Sequence, residues 1–146
     1  MKIIESEKNS VHKPAPEIFS FLSDFNHFKD LMPSQVINWQ STDTTCSFTI
    51  QGMTDLSLRM AEKTPFTRIL ILPEGKPPFS FELVCHLTAM GEDTETQIVF
   101  HADLNPFLSM VALNPLKNFV NLLNNKLKEL AEKDFEGLDR ETHADV

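Results

Sequence analysis

The sequence predicts an α+β fold: a seven-stranded antiparallel sheet, two short helices after the first strand, and a long C-terminal helix packed on the sheet. Three observations predict it. Apolar residues recur with a period of two from Val36 to Asp103 and with a period near 3.6 from Leu116 to Leu130. Pro14 and Pro16 interrupt the chain directly after its first β-like run, where they suit the start of a helix better than a ladder of strand hydrogen bonds.

Lys2 to His12 alternates weakly and reads as the first strand. Ile18, Phe21, Leu22 and Phe25 then fall at i, i+3, i+4 and i+7, one face of a helix. Ser23 and Asp24 are placed to cap a second short helix carrying Phe28, Leu31 and Met32, which Pro33 closes. Six β-rich runs follow at Val36–Gln40, Thr45–Gln51, Thr54–Lys63, Thr67–Leu72, Phe79–Met90 and Glu95–Leu104. The turns between them fall at Thr42-Asp43, Gly52, Thr64-Pro65, Glu74-Gly75 and Gly91-Glu92-Asp93. Short strands joined by tight turns imply a meander. Alternation assigns Cys46, Phe48, Ile50, Leu56, Leu58, Met60, Phe79, Phe81, Leu83, Cys85, Leu87, Ile98, Phe100 and Ala102 to its dry face, and turn centres pair Met60 with Ile69 and Leu87 with Phe100.

The dry face needs a cover. Leu116, Phe119, Val120, Leu123, Leu127 and Leu130 form a continuous helical stripe, with Asn118, Asn121, Asn124, Asn125 and Lys128 assigned to the opposite side. A helix from Pro115 to Lys133 would be about 28 Å long, enough to cross a sheet. Before it, Leu-Asn-Pro occurs twice, at Leu104–Pro106 and Leu113–Pro115. In each, Asn suits a cap and Pro the first helical position, so the spacing predicts two helix starts. If the helices instead run together, Pro115 deprives the Val111 carbonyl of its partner and bends the helix. The expected domain spans residues 2–133, and residues 134–146 lose the pattern and are expected to fray as a tail that includes His143.

Composition bounds the function. A chain of 146 residues is the size of one ordinary domain, and its 41% hydrophobic and 23% charged content is that of a globular protein. The net charge of −8 and the lack of a Lys/Arg cluster argue against nucleic acid, and disfavour an anionic membrane surface. No run of residues reaches the length of a membrane-spanning helix, and MKIIESEKNS lacks the apolar region of a secretory signal, so no stable membrane insertion and a cytoplasmic location are expected. Cys46 and Cys85 stand without CxxC spacing, as in a reducing compartment. With twelve Phe, one Trp and no Tyr, a cavity here would lack a common hydroxyl donor.

The order of strand, two short helices, six strands and long amphipathic helix resembles the SRPBCC superfamily of helix-grip domains. That superfamily includes START lipid-transfer domains, Bet v 1-type proteins, polyketide cyclases and aromatases, and Aha1-type co-chaperone domains. The stretch VHKPAPEIFSFLSDFNHFKDLMP, Val11–Pro33, is similar to the family's opening of strand, proline-marked turn and two helices. A closer resemblance is to SRPBCC-family proteins of Bacteroidetes-type bacteria, which carry no assigned activity and share an LNP segment and a Pro-Leu-x-Asn-Phe helix, here Pro115–Phe119.

The resemblance implies a sheet gripping the C-terminal helix around an apolar cavity, and hence binding or transport of a lipid, quinone or polyketide-like molecule. The implied lining from the sheet is Trp39, Phe48, Ile50, Leu58, Met60, Ile69, Phe81, Leu83, Cys85, Phe100 and Ala102. The helical side is Leu108, Val111, Ala112, Phe119, Val120 and Leu123. Phe107 to Leu113, apolar nearly all round with Ser109 as its one polar side chain, is expected to act as a movable flap. A solid core made by the same side chains is the competing reading, because aromatic and aliphatic residues at strand spacing are usually packing.

Chemistry is sparse. His86 and His101 are expected as cross-strand neighbours on the wet face, where a solvated pair is the better reading than a zinc site that lacks a third ligand. Cys85 projects inward without a histidine to activate it, and Arg59 and Arg68 point outward. Trp39 offers an indole donor and Asn9 an amide. No catalytic residue, metal or cofactor is assigned, and a cyclase or aromatase would need an inward acid or base that does not emerge. The alternatives to a carrier are therefore an enzyme on the same class of ligand, or an Aha1-like protein-interaction module, with a homodimer compatible with either.

Overall fold

The computed structural model describes residues 1–52 and 54–135. The strands are β1 Lys2–Glu5, β2 Asn9–Val11, β3 Val36–Ser41, β4 Thr45–Ile50, β5 Thr54–Thr64, β6 Arg68–Glu74, β7 Phe81–Met90 and β8 Asp93–Ala102. They form one antiparallel sheet in the order β1-β8-β7-β6-β5-β4-β3, with β2 also paired to β8. The helices are α1 Ala15–Leu22, α2 Phe25–Phe28 followed by a 3-10 turn at Lys29–Leu31, and α3 Pro106–Glu132.

The single first strand expected over Lys2–His12 is two segments, which makes the sheet eight-stranded. Glu5 lies opposite Val99 and Asn9 opposite Thr96, so three residues of one strand span two of its partner. The extra residue makes a bulge. Its main-chain groups still need partners. Ser6 N–H donates to the Ile98 carbonyl at 2.9 Å, and Ile98 N–H donates to Ser6 Oγ at 2.9 Å. Glu7 is served from α3: its N–H donates to Asn121 Oδ1 at 2.8 Å and its carbonyl accepts from Asn124 Nδ2 at 2.9 Å.

The first helices form as their spacing requires. Ile18, Phe21, Leu22 and Phe25 are all buried, and Asp24 caps α2 by accepting from Asn26 N–H at 2.8 Å. Ser23 instead closes α1, its Oγ donating to the Phe19 carbonyl at 2.6 Å.

Register departs from expectation at two hairpins. Leu87 faces Thr96 and Phe100 faces Leu83, because β7 and β8 turn directly at Gly91-Glu92. Gly91 has φ of 67° while Glu92 stays at negative φ, as a glycine-first two-residue hairpin turn needs. The slip is even, so every residue keeps its face. Between β5 and β6, Met60 lies opposite Ile71 and Lys63 opposite Ile69, with Ala61 as the bulged residue.

The two expected helix starts are one helix. Asn105 caps it, accepting from Leu108 N–H at 2.8 Å, but Asn114 and Pro115 lie inside the 27-residue α3, about 40 Å long. Pro115 removes one hydrogen bond, to the carbonyl of Val111, and Val111 is exposed, so water can take that carbonyl. At the other end Asp134 and Phe135 make contacts with the first helix region. Asp134 pairs with Lys13, and Phe135 stacks on Phe21 with ring centroids 4.5 Å apart. The rest of the expected tail, residues 136–146 with His143, lies outside the described residues.

Candidate functional site

α3 comes closest to β8, β1, β2 and the 3-10 turn, so it lies over one side of the sheet. Its C-terminal half is sealed there: Val120, Leu123, Leu127, Leu130 and Ala131 are buried. Its N-terminal half is not, and Leu108, Ala112, Leu113, Leu116 and Phe119 remain half-buried. The sheet carries a matching gradient. Phe81, Leu83, Cys85, Phe100 and Ala102 on β7 and β8 are buried, as are Ile69, Phe48 and Leu58, whereas Trp39, Ile50, Leu56 and Met60 toward the β3 edge are half-buried. These two partly buried apolar sets, on the N-terminal half of α3 and on the inner faces of β3–β5, make up the candidate cleft. Met32, Val36, Phe79 and Leu104 border it as partly buried side chains packed on the core.

Aromatic stacking fixes the walls. The Trp39 ring stacks on Phe48 at 5.3 Å, and its Nε1–H donates to Ser41 Oγ at 3.1 Å, so the indole donor is already engaged. Phe81 stacks on Phe100 at 4.9 Å, with Phe79 5.7 Å from Phe81. Asn9 does not reach the cleft; its Nδ2 donates to Asn125 Oδ1 at 3.0 Å. Val111, expected in the lining, is 54% exposed. Once α3 is continuous, nine positions at about 100° each put Val111 half a turn from the buried Val120.

Two polar features of α3 escaped the sequence. Asn124, expected on the solvent side, is fully buried, where its Nδ2 donates to the carbonyls of Glu7 and Thr96 at 2.9 and 3.0 Å and its Oδ1 accepts from Thr96 Oγ at 2.8 Å. Ser109 carries the buried hydroxyl that lacks a hydrogen-bond partner among the described residues. Running the helical period back from Leu116 through Leu113 and Ala112 would have placed Ser109 on the inward face.

The thiols are inert. Burial pushes both Cys85 and Cys46 up to about 12, far from the thiolate a nucleophile requires. His86 and His101 are not opposite one another: His86 faces Gln97 and His101 faces Glu82. They share an outer-face concavity of about 400 Å³ with Glu5, Lys8 and Glu95, away from the cleft. Burial chiefly, then Arg68 and His101, hold His86 below the ordinary histidine range, opposed by Glu5. A second concavity of about 390 Å³ lies outside the cleft, beside Gln40, Ser47, Ser57 and Glu74. Among the described residues no group of three or more His, Cys, Asp and Glu is placed to hold a metal ion. No described helix is long and apolar enough to cross a membrane.

No protein-family model and no curated protein matches the sequence. Solved structures do match its shape. A START superfamily protein from Mycobacterium smegmatis is 14% identical with a TM-score of 0.65, over 88% of this chain and 98% of that one. The Aha1 dimer from Colwellia psychrerythraea is 15% identical with a TM-score of 0.68, over 94% of this chain and 100% of that one. Norcoclaurine synthase from Thalictrum flavum, a Bet v 1-like protein, is 11% identical with a TM-score of 0.70, over 89% and 86%. The chain therefore has the helix-grip fold of the SRPBCC superfamily, the fold shared by START, Bet v 1-like and Aha1-type proteins.

Proposed function

We propose that this chain binds a small hydrophobic molecule, of lipid, quinone or polyketide-like character, in the cleft between α3 and the inner face of β3–β5. The observation that supports it is the paired gradient: apolar side chains on two facing elements stay half-buried at one end of an otherwise sealed core. Apolar surface left against water at about 25 cal/mol per Å² favours an apolar guest there. The first two turns of α3 form the flap, hinged where Pro115 omits its hydrogen bond. Among the described residues the inner wall offers no paired acid and base, which favours carriage over catalysis. Two buried free thiols suit a reducing cytoplasm.

A second reading has its own support. Phe107, Met110, Val111 and Leu122 on the outer side of α3 are 69%, 79%, 54% and 52% exposed, a pattern suited to a protein partner or a second copy of the chain. Native mass spectrometry of the chain purified from its own cells separates the two. A retained small molecule, identified after extraction, supports carriage. A bare mass across preparations, or a mass carrying a protein partner, overturns it in favour of the interaction module.

A further inference from the structure

Serine in a helix usually resolves burial by bonding the carbonyl four residues back, as Ser23 does with Phe19. Ser109 does not. The Asn105 carbonyl, four residues back, accepts the Ser109 N–H at 2.8 Å but not its hydroxyl. The hydroxyl is buried with both its proton and its lone pairs unspent. It sits on the helical stripe of Ala112, Leu113, Leu116 and Phe119, which faces the cleft. Native structures rarely leave such a group unpaired, and an unpaired one calls for an explanation.

We infer that the Ser109 hydroxyl is the polar anchor of the cleft and selects an amphipathic ligand whose buried end carries an uncharged oxygen, such as an alcohol, ketone, ester or quinone. This rests on the proposed carriage and names the class of molecule carried. Charge decides the class. The first cation along α3, Lys117, is engaged with the Glu5 carbonyl, and Lys2 and Lys76 at the same end of the sheet are exposed. A carboxylate drawn in beside Ser109 would lose its hydration with no counter-charge among the described residues, whereas a neutral oxygen needs only one hydrogen bond.

Titration of the full chain with decan-1-ol and with decanoate at pH 8, followed by Trp39 fluorescence and by calorimetry, tests this. Trp39 is the only tryptophan and lies on the cleft wall, so it reports occupancy. Decan-1-ol is expected to bind more tightly than decanoate. Ser109→Ala is expected to weaken decan-1-ol about threefold to tenfold, the worth of one neutral hydrogen bond, and to leave decanoate unchanged. Ser109→Thr, which keeps the hydroxyl, restores the alcohol. Unchanged decan-1-ol affinity in Ser109→Ala overturns the anchor while leaving carriage intact, and decanoate binding as tightly as the alcohol overturns the neutral class. If neither probe binds by either readout, the anchor and the carriage reading fall together.

Discussion

Replacing Asn124 with leucine keeps the γ-branched shape of a fully buried side chain but deletes its four hydrogen bonds, to Ser6 Oγ, the Glu7 and Thr96 carbonyls and the Thr96 hydroxyl. Glu7 is exposed, so water can reach its carbonyl. The two Thr96 groups stay buried, and each unsatisfied group costs about 1–3 kcal/mol, giving a loss of roughly 2–6 kcal/mol. For a domain of this size that lowers Tm by roughly 5–20 °C. Urea unfolding followed by circular dichroism measures it, with Asn125→Ala as the control. That residue's one hydrogen bond, to Asn9, is solvent-exposed, and its removal is expected to change stability by no more than about 0.5 kcal/mol. If Asn124→Leu is as stable as the parent, the network does not fasten α3 to the bulge between β1 and β2. The sealed half of the helix would then need another explanation.

Pro115→Ala returns an N–H to the Val111 carbonyl and should stabilise the chain by about 1–3 kcal/mol by thermal unfolding, within the helix-propensity gap between the two residues; a loss of stability would mean that α3 needs proline at this position. Cys85 keeps its proton when folded up to about pH 12, whereas the unfolded thiol loses it near 9. The unfolded state therefore binds fewer protons between those values, and stability falls by about 1.4 kcal/mol per pH unit as pH rises through the window. Cys85→Val should remove that contribution, and equal alkaline slopes in the two proteins would show that the thiol is not shielded. Met110 is 79% exposed on the outer side of α3, so Met110→Glu should move stability by no more than about 0.5 kcal/mol and leave uptake of decan-1-ol in stopped-flow Trp39 fluorescence unchanged. A slowed rate would put this side chain at the mouth of the cleft instead.

The architecture was legible wherever one face of an element is dry. Alternation placed Phe48, Leu58, Leu83 and Phe100 correctly even though the β7–β8 pairing slipped by an even number of residues, because face depends on parity and partner depends on the turn. Asn124 was misread because an asparagine on an amphipathic helix is assumed to face water. What draws it inward is the unpaired main chain at Glu7, and the bulge that frees it is a tertiary event. The contact of Phe135 was not legible for a related reason: one aromatic beyond a helix end carries no period, and only the ring of Phe21 gives it a place. The second Leu-Asn-Pro has the composition of a helix start. α3 runs through it because the lost hydrogen bond falls at exposed Val111, where water substitutes. That same continuity fixed the phase of residues 107–113, turned Val111 outward and brought Ser109 in.

Amide hydrogen exchange along α3, with and without decan-1-ol, tests most directly whether the cleft under its N-terminal half holds a hydrophobic molecule. The account predicts that residues 107–113 exchange faster than residues 119–127 in the free protein, and that the ligand slows 107–113 together with β3–β5 while leaving 119–127 unchanged. Equal protection of the two halves in the free protein, undisturbed by ligand, would contradict it.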